Sequence, residues 1–300
     1  MANEGERGMS GIRYSFGADE HIFAEIDEEM SLEAFFKGMA ICKELEKRRI
    51  PGVSEICPSN ASYLVRYDPD VIHPDKMLRT LQEIEAQVGE AEIDLPTRIV
   101  ELPVFYNDPW TNETGQRFRE RHQDPSSNDI SYSARINGYK SIDDFIAAHS
   151  GAPWFVSMVG FVAGLPWLYQ IVERSKQIEV PKYLRPRTDT PKLTIGHGGC
   201  FIAIYSVRGA GGSQMLGITP APIYDPAQKL PYFKDFLAVF KPGDIVKFKS
   251  VSREEYDRAV KAVEAGTFNL TFKPVTFSLK AFHADPGGHA RHLVEVLHGH

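Results

Sequence analysis

The sequence predicts an α+β fold in two domains, a small ferredoxin-like α/β sandwich followed by a larger β-barrel. Two features predict it. Up to about Ile99, strand-like alternation is interrupted twice by helical periodicity, as in a small sheet covered by two helices. From Trp154 onward the chain is rich in Val, Ile, Phe and Tyr between glycine and proline turns, which is typical of a closed sheet. We therefore expect one domain over residues 1–97 and a barrel domain over residues 98–300.

The first domain is predicted from two strand pairs, each followed by a helix. Ser31 is placed to cap the first helix, in which apolar residues recur at three- and four-residue intervals. Pro74 suits the first turn of the second helix. The predicted strands are Ile12–Phe16, His21–Ile26, Val53–Cys57 and Tyr63–Tyr67.

The second domain is predicted from a crossing strand over residues 96–107, a long excursion and a run of strands. The excursion Asp108–Ser141 is polar, and we expect one short helix in it, around Glu113–Arg121. Further helices are expected over Ser141–His149 and over Ser252–Ala265, the latter with a capping-box pattern. The predicted strands are Trp154–Phe161, Lys192–Ile195, Cys200–Val207, Gln214–Gly217, Asp244–Lys249 and Asn269–Pro274.

One uncharged segment, Ser150–Val172, is long enough to be weighed as a transmembrane helix. It contains two prolines and three glycines, and its Trp154, Val156 and Met158 alternate as the residues of buried strands do. The segment therefore favours two core strands joined by a glycine turn, and we expect no membrane partner.

The composition and the net charge exclude several classes of protein. Of the 300 residues, 42% are hydrophobic and 25% are charged, which is typical of globular chains. The net charge is −6, so no positive field attracts a phosphate backbone and we expect no nucleic-acid partner. Cys42, Cys57 and Cys200 show no CxxC spacing, which argues against a disulfide framework. Together with a start that lacks an apolar signal segment, this favours the cytoplasm.

The strongest chemical candidate is a pair of glycine-rich stretches. The sequence contains no GxxxxGK[ST], HExxH or GxSxG motif and no GxGxxG after a strand, which removes the commonest self-sufficient catalytic signatures. The stretches Gly196–Cys200 and Arg208–Gln214 remain. Glycines without Cβ let a backbone approach an anion or a flat ligand, and they also form tight turns. The sequence leaves both interpretations open.

Other polar groups have weaker patterns. His197 with Cys200, and His149 with Ser150, have the residue types of nucleophilic catalysis but no orienting third group. Six His and Asp residues near the C-terminus are interpreted as a fraying tail, with metal binding as the alternative. They are His283, Asp285, His289, His292, His298 and His300. A basic run is either a solvated loop or a channel for an anionic substrate or partner. It comprises Lys182, Arg185, Arg187 and Lys192.

Several motifs resemble, in order and spacing, those of a known family. His149-Ser150 followed by Gly160–Leu168 resembles a His-Ser pair before Gly-Phe-x-Pro-Gly-Phe-x-Tyr-Leu, and Tyr205–Pro220 resembles Tyr-Pro…Gly-Gly-Trp…Ile-Gly-Arg-Thr-Pro. Leu102–Tyr106 and Thr190–Lys192 resemble its Ile-Pro-Val-x-Tyr and Thr-Pro-Arg. The family is allophanate hydrolase subunit 1, the carboxyltransferase domain (subdomains C and D) of urea carboxylase, the B subunit of 5-oxoprolinase and the sporulation-kinase inhibitor.

The resemblance implies a fold, a partner and a reaction class. It implies a cyclophilin-like barrel after the N-terminal domain and a homologous second subunit that helps to frame the site. It implies a small amide or lactam as substrate, with ATP or carboxybiotin supplied through the partner complex. A regulatory binding protein of the histidine-kinase-inhibitor type is the alternative. A prolyl isomerase shares only the barrel.

The resemblance also implies site residues. We expect His149 to orient substrate or transfer a proton, Tyr205 to donate a hydrogen bond and Thr219 to donate to an oxyanion. Backbone or side-chain contacts to substrate are expected from Gly164, Lys192, Arg208, Gly211, Gly212, Gln214 and Gly217. A bulky residue in place of Gly212 is expected to abolish activity.

This sequence departs from the family pattern at the candidate site. The Arg before Thr-Pro is Ile218, the Trp after the glycines is Ser213, and the Pro of Pro-Gly is Ala163. Loss of a fixed guanidinium changes which substrate charge the site can hold. We expect either Arg208 or Lys192 to replace that charge, or the substrate to differ.

Overall fold

The computed structural model describes residues 11–88 and 94–299. The chain divides into two compact units, of which one ends at Ile93 and the other begins at Asp94. The first strand of the second unit therefore runs through the boundary expected near residue 97. The N-terminal segment in which a secretory signal was not expected falls outside the described residues. Among the described residues, no helix is both long and apolar enough to span a membrane.

The first unit is a four-stranded antiparallel sheet with two helices. Its elements are β1 Arg13–Gly17, β2 His21–Glu25, α1 Leu32–Arg48, β3 Val53–Ser59, β4 Ser62–Tyr67 and α2 Pro74–Val88. The strand order is β1-β2-β4-β3. Alternate residues such as Ile22, Tyr63 and Val65 face a core that they share with both helices. The Ser31 hydroxyl accepts a hydrogen bond from the backbone of Ala34 at 3.1 Å, which confirms the predicted cap.

The strand pairs and helices predicted for this unit are confirmed, whereas the ferredoxin-like label is not. A ferredoxin-like chain runs βαββαβ. Here the described chain runs ββαββα. The expected elements are therefore present in the predicted order, and that order differs from the order of a ferredoxin-like chain.

The second unit is built around a closed barrel. Its strands are β5 Asp94–Tyr106, β6 Pro153–Val159, β7 Pro166–Gln170, β8 Arg187–Thr190, β9 Thr194–Gly198, β10 Phe201–Ile204, β11 Gly209–Gly211, β12 Gln214–Ile218, β13 Ile245–Ser250 and β14 Phe272–Ser278. Its helices are α3 Pro109–Arg117, α4 Asp129–Ile136, α5 Ile142–Gly151, α6 Arg253–Glu264, α7 Leu279–Ala284 and α8 Pro286–His298.

Within residues 94–299, seven strands close the barrel in the order β12-β9-β10-β7-β6-β13-β5. The long strand β5 makes closure possible because its middle pairs with β13 in parallel and its end pairs with β12, at Tyr106 with Gly217. Strand β14 pairs with the first half of β5. The predicted barrel is confirmed and supports the cyclophilin-like expectation. The uncharged segment forms the antiparallel pair β6 and β7, as predicted.

The excursion between β5 and α5 contains more helix than predicted. Helix α3 begins after Asp108, whose side chain accepts from two backbone N–H groups, and helix α4 begins after Asn128, which caps it in the same way. A single 3₁₀ turn, Arg119–Arg121, lies between them. Both caps are local signals, but a nine-residue and an eight-residue helix show too few turns for clear periodicity.

The described part of the C-terminal segment, to residue 299, belongs mainly to helices α7 and α8, so the expectation of a fraying tail is wrong there. His300 lies outside the described residues. Asp285 caps α8 through the backbone of Gly288 at 2.8 Å. Leu293 and Leu297 are buried on one side of that helix together with His289. His289 Nε2 accepts from the backbone of Ser278. Over the described part of the chain, no group of three His, Cys, Asp or Glu side chains is arranged to hold a metal ion.

Candidate functional site

Glycines line the face of strand β9 that points away from the barrel interior. Ile195 faces the barrel core and His197 lies beside His149 and Trp154, whereas Gly196 and Gly198 alternate with them on the opposite face. A Cβ at Gly198 would lie 2.8 Å from Lys182 Cγ and 3.2 Å from Ser213 Oγ. Lys182 and Ser213 therefore lie directly against Gly198 on this face of the strand.

Tyr205 packs against two of the glycines. A Cβ at Gly196 would lie 2.7 Å from Tyr205 Cε2, and a Cβ at Gly211 would lie 2.7 Å from Tyr205 Cε1 and Cζ. Real side chains essentially never approach so closely, because the overlap would be steeply repulsive. Only glycine at both positions lets the phenol ring lie where it does.

The resulting surface, which we call the glycine face, comprises Gly196, Gly198, Gly211, Tyr205, Ser213, Lys182 and Trp167. Tyr205 and Ser213 are each 5% exposed, and neither hydroxyl makes a hydrogen bond to another described residue. The Lys182 ammonium lies 5.4 Å from the centre of the Trp167 ring, within cation–π range. The face therefore offers two hydroxyl groups and one cation to a ligand.

Arg208, expected to bind substrate, is occupied by a neighbour. Its Nε and Nη2 donate to the two carboxylate oxygens of Asp189 at 2.6 and 2.8 Å. Arg117 also donates to Asp189, at 2.9 Å. Hydrogen bonds from Arg208, followed by those from Arg117, lower the pKa of Asp189 to about 2. The planar fork of Arg208 is thus already matched to a carboxylate within the chain.

His149 lies inside the barrel, away from the glycine face. Its ring is fully buried and contacts the rings of Trp154, His197 and Phe248. Its Nδ1 forms a 2.8 Å hydrogen bond with the Tyr106 hydroxyl, and its Nε2 has no partner among the described residues. Burial, followed by the charge of His197, holds the pKa of His149 well below its ordinary value.

His197 shares that interior. Its Nε2 donates to the carbonyl of Ile178 at 3.1 Å, and its Nδ1 is buried without a partner in the described residues. Burial lowers the pKa of His197 to about 4, although the carbonyls of Ile178 and Gly199 oppose the shift. The two imidazole rings, 5.8 Å apart, are therefore neutral at pH 7.

Four of the other expected contact residues, Gln214, Thr219, Gly217 and Gly164, make hydrogen bonds or close packing contacts within the chain. Gln214 Oε1 accepts from buried His122 at 2.7 Å, and Thr219 Oγ1 accepts from the backbone of Ala221 at 3.2 Å. A Cβ on Gly217 would lie 2.6 Å from the Phe105 carbonyl oxygen, so that glycine lets β12 approach β5. Gly164 has φ +69° and packs against Tyr224, and Lys192 is exposed on the turn before β9.

The structure thus brings together Tyr205 and Gly211 and separates both from His149. The sequence analysis included Gly196, Gly198 and Ser213 in the two glycine-rich stretches and Lys182 in the basic run, but it gave none of the four an individual contact role. The signal for the two glycines was present, because glycines at alternate positions of one strand must line one face. Ser213 and Lys182 come from segments that meet β9 only after folding.

Comparison with known proteins finds one family. Residues 12–234 match the model of the carboxyltransferase domain, subdomain C and D. The B subunit of 5-oxoprolinase from Bacillus subtilis is 28% identical over 257 residues, covering 82% of this chain and 96% of that protein. The urea amidolyase of Lachancea kluyveri is 25% identical over 279 residues, covering 90% of this chain.

Solved structures extend the likeness to the fold. The K. lactis urea amidolyase superposes with a TM-score of 0.81 at 23% identity, covering 96% of this chain and 18% of that chain. The chain thus matches nearly the whole of the Bacillus 5-oxoprolinase protein but only 15% of the length of the Lachancea urea amidolyase.

Proposed function

The chain belongs to the carboxyltransferase family of subdomains C and D, and from that premise we propose that it is one subunit of a heteromeric enzyme that processes amides or lactams. Its similarity to the B subunit of 5-oxoprolinase, over 96% of that protein, supports a subunit of this kind. ATP or carboxybiotin enters through the partner complex, and a homologous second subunit completes the site.

The observation that carries this proposal is the glycine face. Amide chemistry develops negative charge on a carbonyl oxygen, which preorganised donors and cations stabilise. The hydroxyl groups of Tyr205 and Ser213 make no hydrogen bond to another described residue, and the Lys182 side chain lies with Ser213 against Gly198. Since Arg208 is paired with Asp189 and position 218 holds an isoleucine, Lys182 supplies the cation of this face.

The glycine face also supports the proposal that another polypeptide completes the site. Acid–base transfer requires a titratable group within hydrogen-bond reach of the reacting atom. The imidazoles of His149 and His197 lie in the barrel interior, on the other side of strand β9. A group contributed by another polypeptide would meet this requirement. In this assignment His149 shapes the barrel, while Tyr205, Ser213 and Lys182 contact substrate.

Tyr205→Phe tests the assignment in the complex reconstituted with the second subunit from the native host. We expect kcat to fall about 10- to 100-fold with little change in folding, because one donor to the developing oxyanion is lost. The measurement is steady-state turnover of 5-oxoproline, urea and related amides, with ATP consumption followed in parallel. Tyr139→Phe, which removes a hydroxyl from another partly buried tyrosine, is the matched control.

Two outcomes would contradict the proposal. Robust turnover by the isolated chain would remove the need for a partner. Unchanged kcat in Tyr205→Phe would move the chemistry away from the glycine face. Copurification with a histidine kinase in the absence of a second subunit would instead favour the regulatory alternative.

A further inference from the structure

A fully buried arginine, which makes no ion pair with any of the described residues, lies beside the glycine face. Arg187 is 0% exposed, and its position on β8 pairs with Gly211 on β11. Its Nη2 donates to Thr190 Oγ1 at 3.3 Å. Its Nε and Nη1 have no acceptor among the described residues. The guanidinium carbon lies 4.4 Å from the centre of the Tyr183 ring.

A second arginine from the excursion approaches the same tyrosine. Arg119 has a side chain that is 12% exposed, and its Nη1 lies 3.5 Å from Asp129 Oδ1. Both of its terminal nitrogens are buried, and neither has a hydrogen-bond acceptor in the described part of the chain. Burial and the Asp129 carboxylate raise the pKa of Tyr183, and the charges of Arg187 and Arg119 oppose that rise.

The buried charges of this cluster do not balance. Asp129 is the carboxylate in it, and its oxygens accept from the Tyr183 hydroxyl at 2.7 Å and from the backbone of Met215 at 2.8 Å. The Nδ1 of His122 accepts from the backbone of Asp124 and therefore carries no proton, and its Nε2 donates to Gln214 Oε1. Around Tyr183 the described residues therefore place two guanidinium charges, of Arg187 and Arg119, and the carboxylate of Asp129.

We propose that Arg119 and Arg187 form a binding site for a small planar monoanion, a carboxylate or bicarbonate. Arginine does not deprotonate in proteins, and an uncompensated buried charge is costly. A water molecule would satisfy N–H groups without neutralising the charge, whereas an oxyanion does both. The guanidinium fork matches a carboxylate, and the excess of one charge matches a monoanion.

The surroundings of the pair favour entry of an anion. Arg121 Nη1 donates to the Pro186 carbonyl at 2.8 Å, and the backbone of Leu184 donates to the Arg121 carbonyl at 3.0 Å. These bonds bring the basic run containing Lys182 and Arg185 beside the Arg119–Arg121 turn. The result is a concentration of positive charge in a chain of net charge −6, which attracts anions at long range. This inference stands independently of the proposed reaction.

Thermal unfolding of the full chain tests the site. At equal ionic strength, sodium acetate or sodium bicarbonate is expected to raise Tm by several degrees over sodium chloride, saturably, because binding to the folded state stabilises it. Arg187→Met is expected to abolish this response, and Arg291→Met, at an exposed position of α8, to retain it. In chloride alone, Arg187→Met is expected to be at least as stable as the parent, because a costly charge is gone.

Comparing the salts shows whether the bound anion is a carboxylate or bicarbonate, and it can also overturn the proposal. A response to acetate identifies a carboxylate, and a response to bicarbonate alone identifies bicarbonate. A stronger response to phosphate than to either, or equal Tm in all salts, overturns the proposal. So does an unchanged acetate or bicarbonate response in Arg187→Met. If Arg187→Met does not fold, Arg119→Gln at the partly exposed position is expected to weaken binding at least tenfold by calorimetry, and unchanged binding overturns the site.

Discussion

Gly211→Ala is expected to reduce kcat/KM of the reconstituted complex by about 100-fold or more, because misplacing a contact group by about 1 Å has an effect of this size. The added methyl group would lie within 2.7 Å of Tyr205 ring carbons. The ring cannot retreat easily, because Gly196 holds its other edge at an equally short distance. The tyrosine must therefore leave the glycine face.

Gly212→Ala is the matched control for that substitution. A Cβ at Gly212 would meet nothing closer than Lys182 Cβ at 3.7 Å, an ordinary van der Waals contact. We expect the activity of Gly212→Ala to lie within a few-fold of that of the parent. The strong effect that the sequence analysis expected at Gly212 is therefore expected at Gly211 instead. Turnover and circular dichroism measured on both variants check this. Equal activity of the two variants would show that Tyr205 does not define the site.

Acidification from pH 7 to pH 4 is expected to lower the free energy of unfolding by about 3 kcal/mol through His197 alone. The folded-state pKa is about 4, whereas that of an unfolded histidine is about 6.5. The unfolded chain therefore takes up a proton between these values while the folded barrel does not. The contribution of His197 to the free energy of unfolding is fully present above pH 6.5 and is lost as the pH falls towards 4. His149 adds to this loss, because burial shifts its pKa in the same direction.

Denaturant unfolding at a series of pH values measures this effect. His197→Phe is expected to flatten the dependence between pH 6.5 and pH 4, because the titrating group is removed. His73→Phe is the control, since the His73 side chain is 73% exposed. A profile of the same slope in His197→Phe and the parent would assign the acid sensitivity to other groups. Loss of the slope in His73→Phe would do the same.

Local signals account for the parts of the fold that the sequence predicted. Ser31 and Ser252 each accept from a backbone group three residues later, so the cap and its helix are readable from a few neighbouring residues. The sequence analysis predicted too little helix in the excursion Asp108–Ser141 and did not predict α8, for different reasons. In α8, His289, Leu293 and Leu297 recur every fourth residue, so a helical stripe was present but was obscured by the histidines.

The candidate site depended on contacts that no local pattern contains. Tyr205 was identified from a motif, yet Gly196 and Gly211 meet its ring, and Lys182 meets Gly198, only once the barrel has formed. His149 belongs to the same family resemblance but lies in the interior, because the last turn of α5 packs against β13. A motif records which residue types occur together and says nothing about the side of a strand on which they lie.

Sequence by itself determined the division into a small α+β unit and a barrel, the caps of the principal helices and membership of a family, because periodicity, capping and motif order are properties of neighbouring residues. Tertiary structure alone decided that Arg208 is neutralised by Asp189, that two imidazoles are buried and neutral, and that the buried Arg187 has no acceptor for its Nε and Nη1 among the described residues. Charge pairing and burial depend on distances between residues far apart in the chain, and only folding sets those distances.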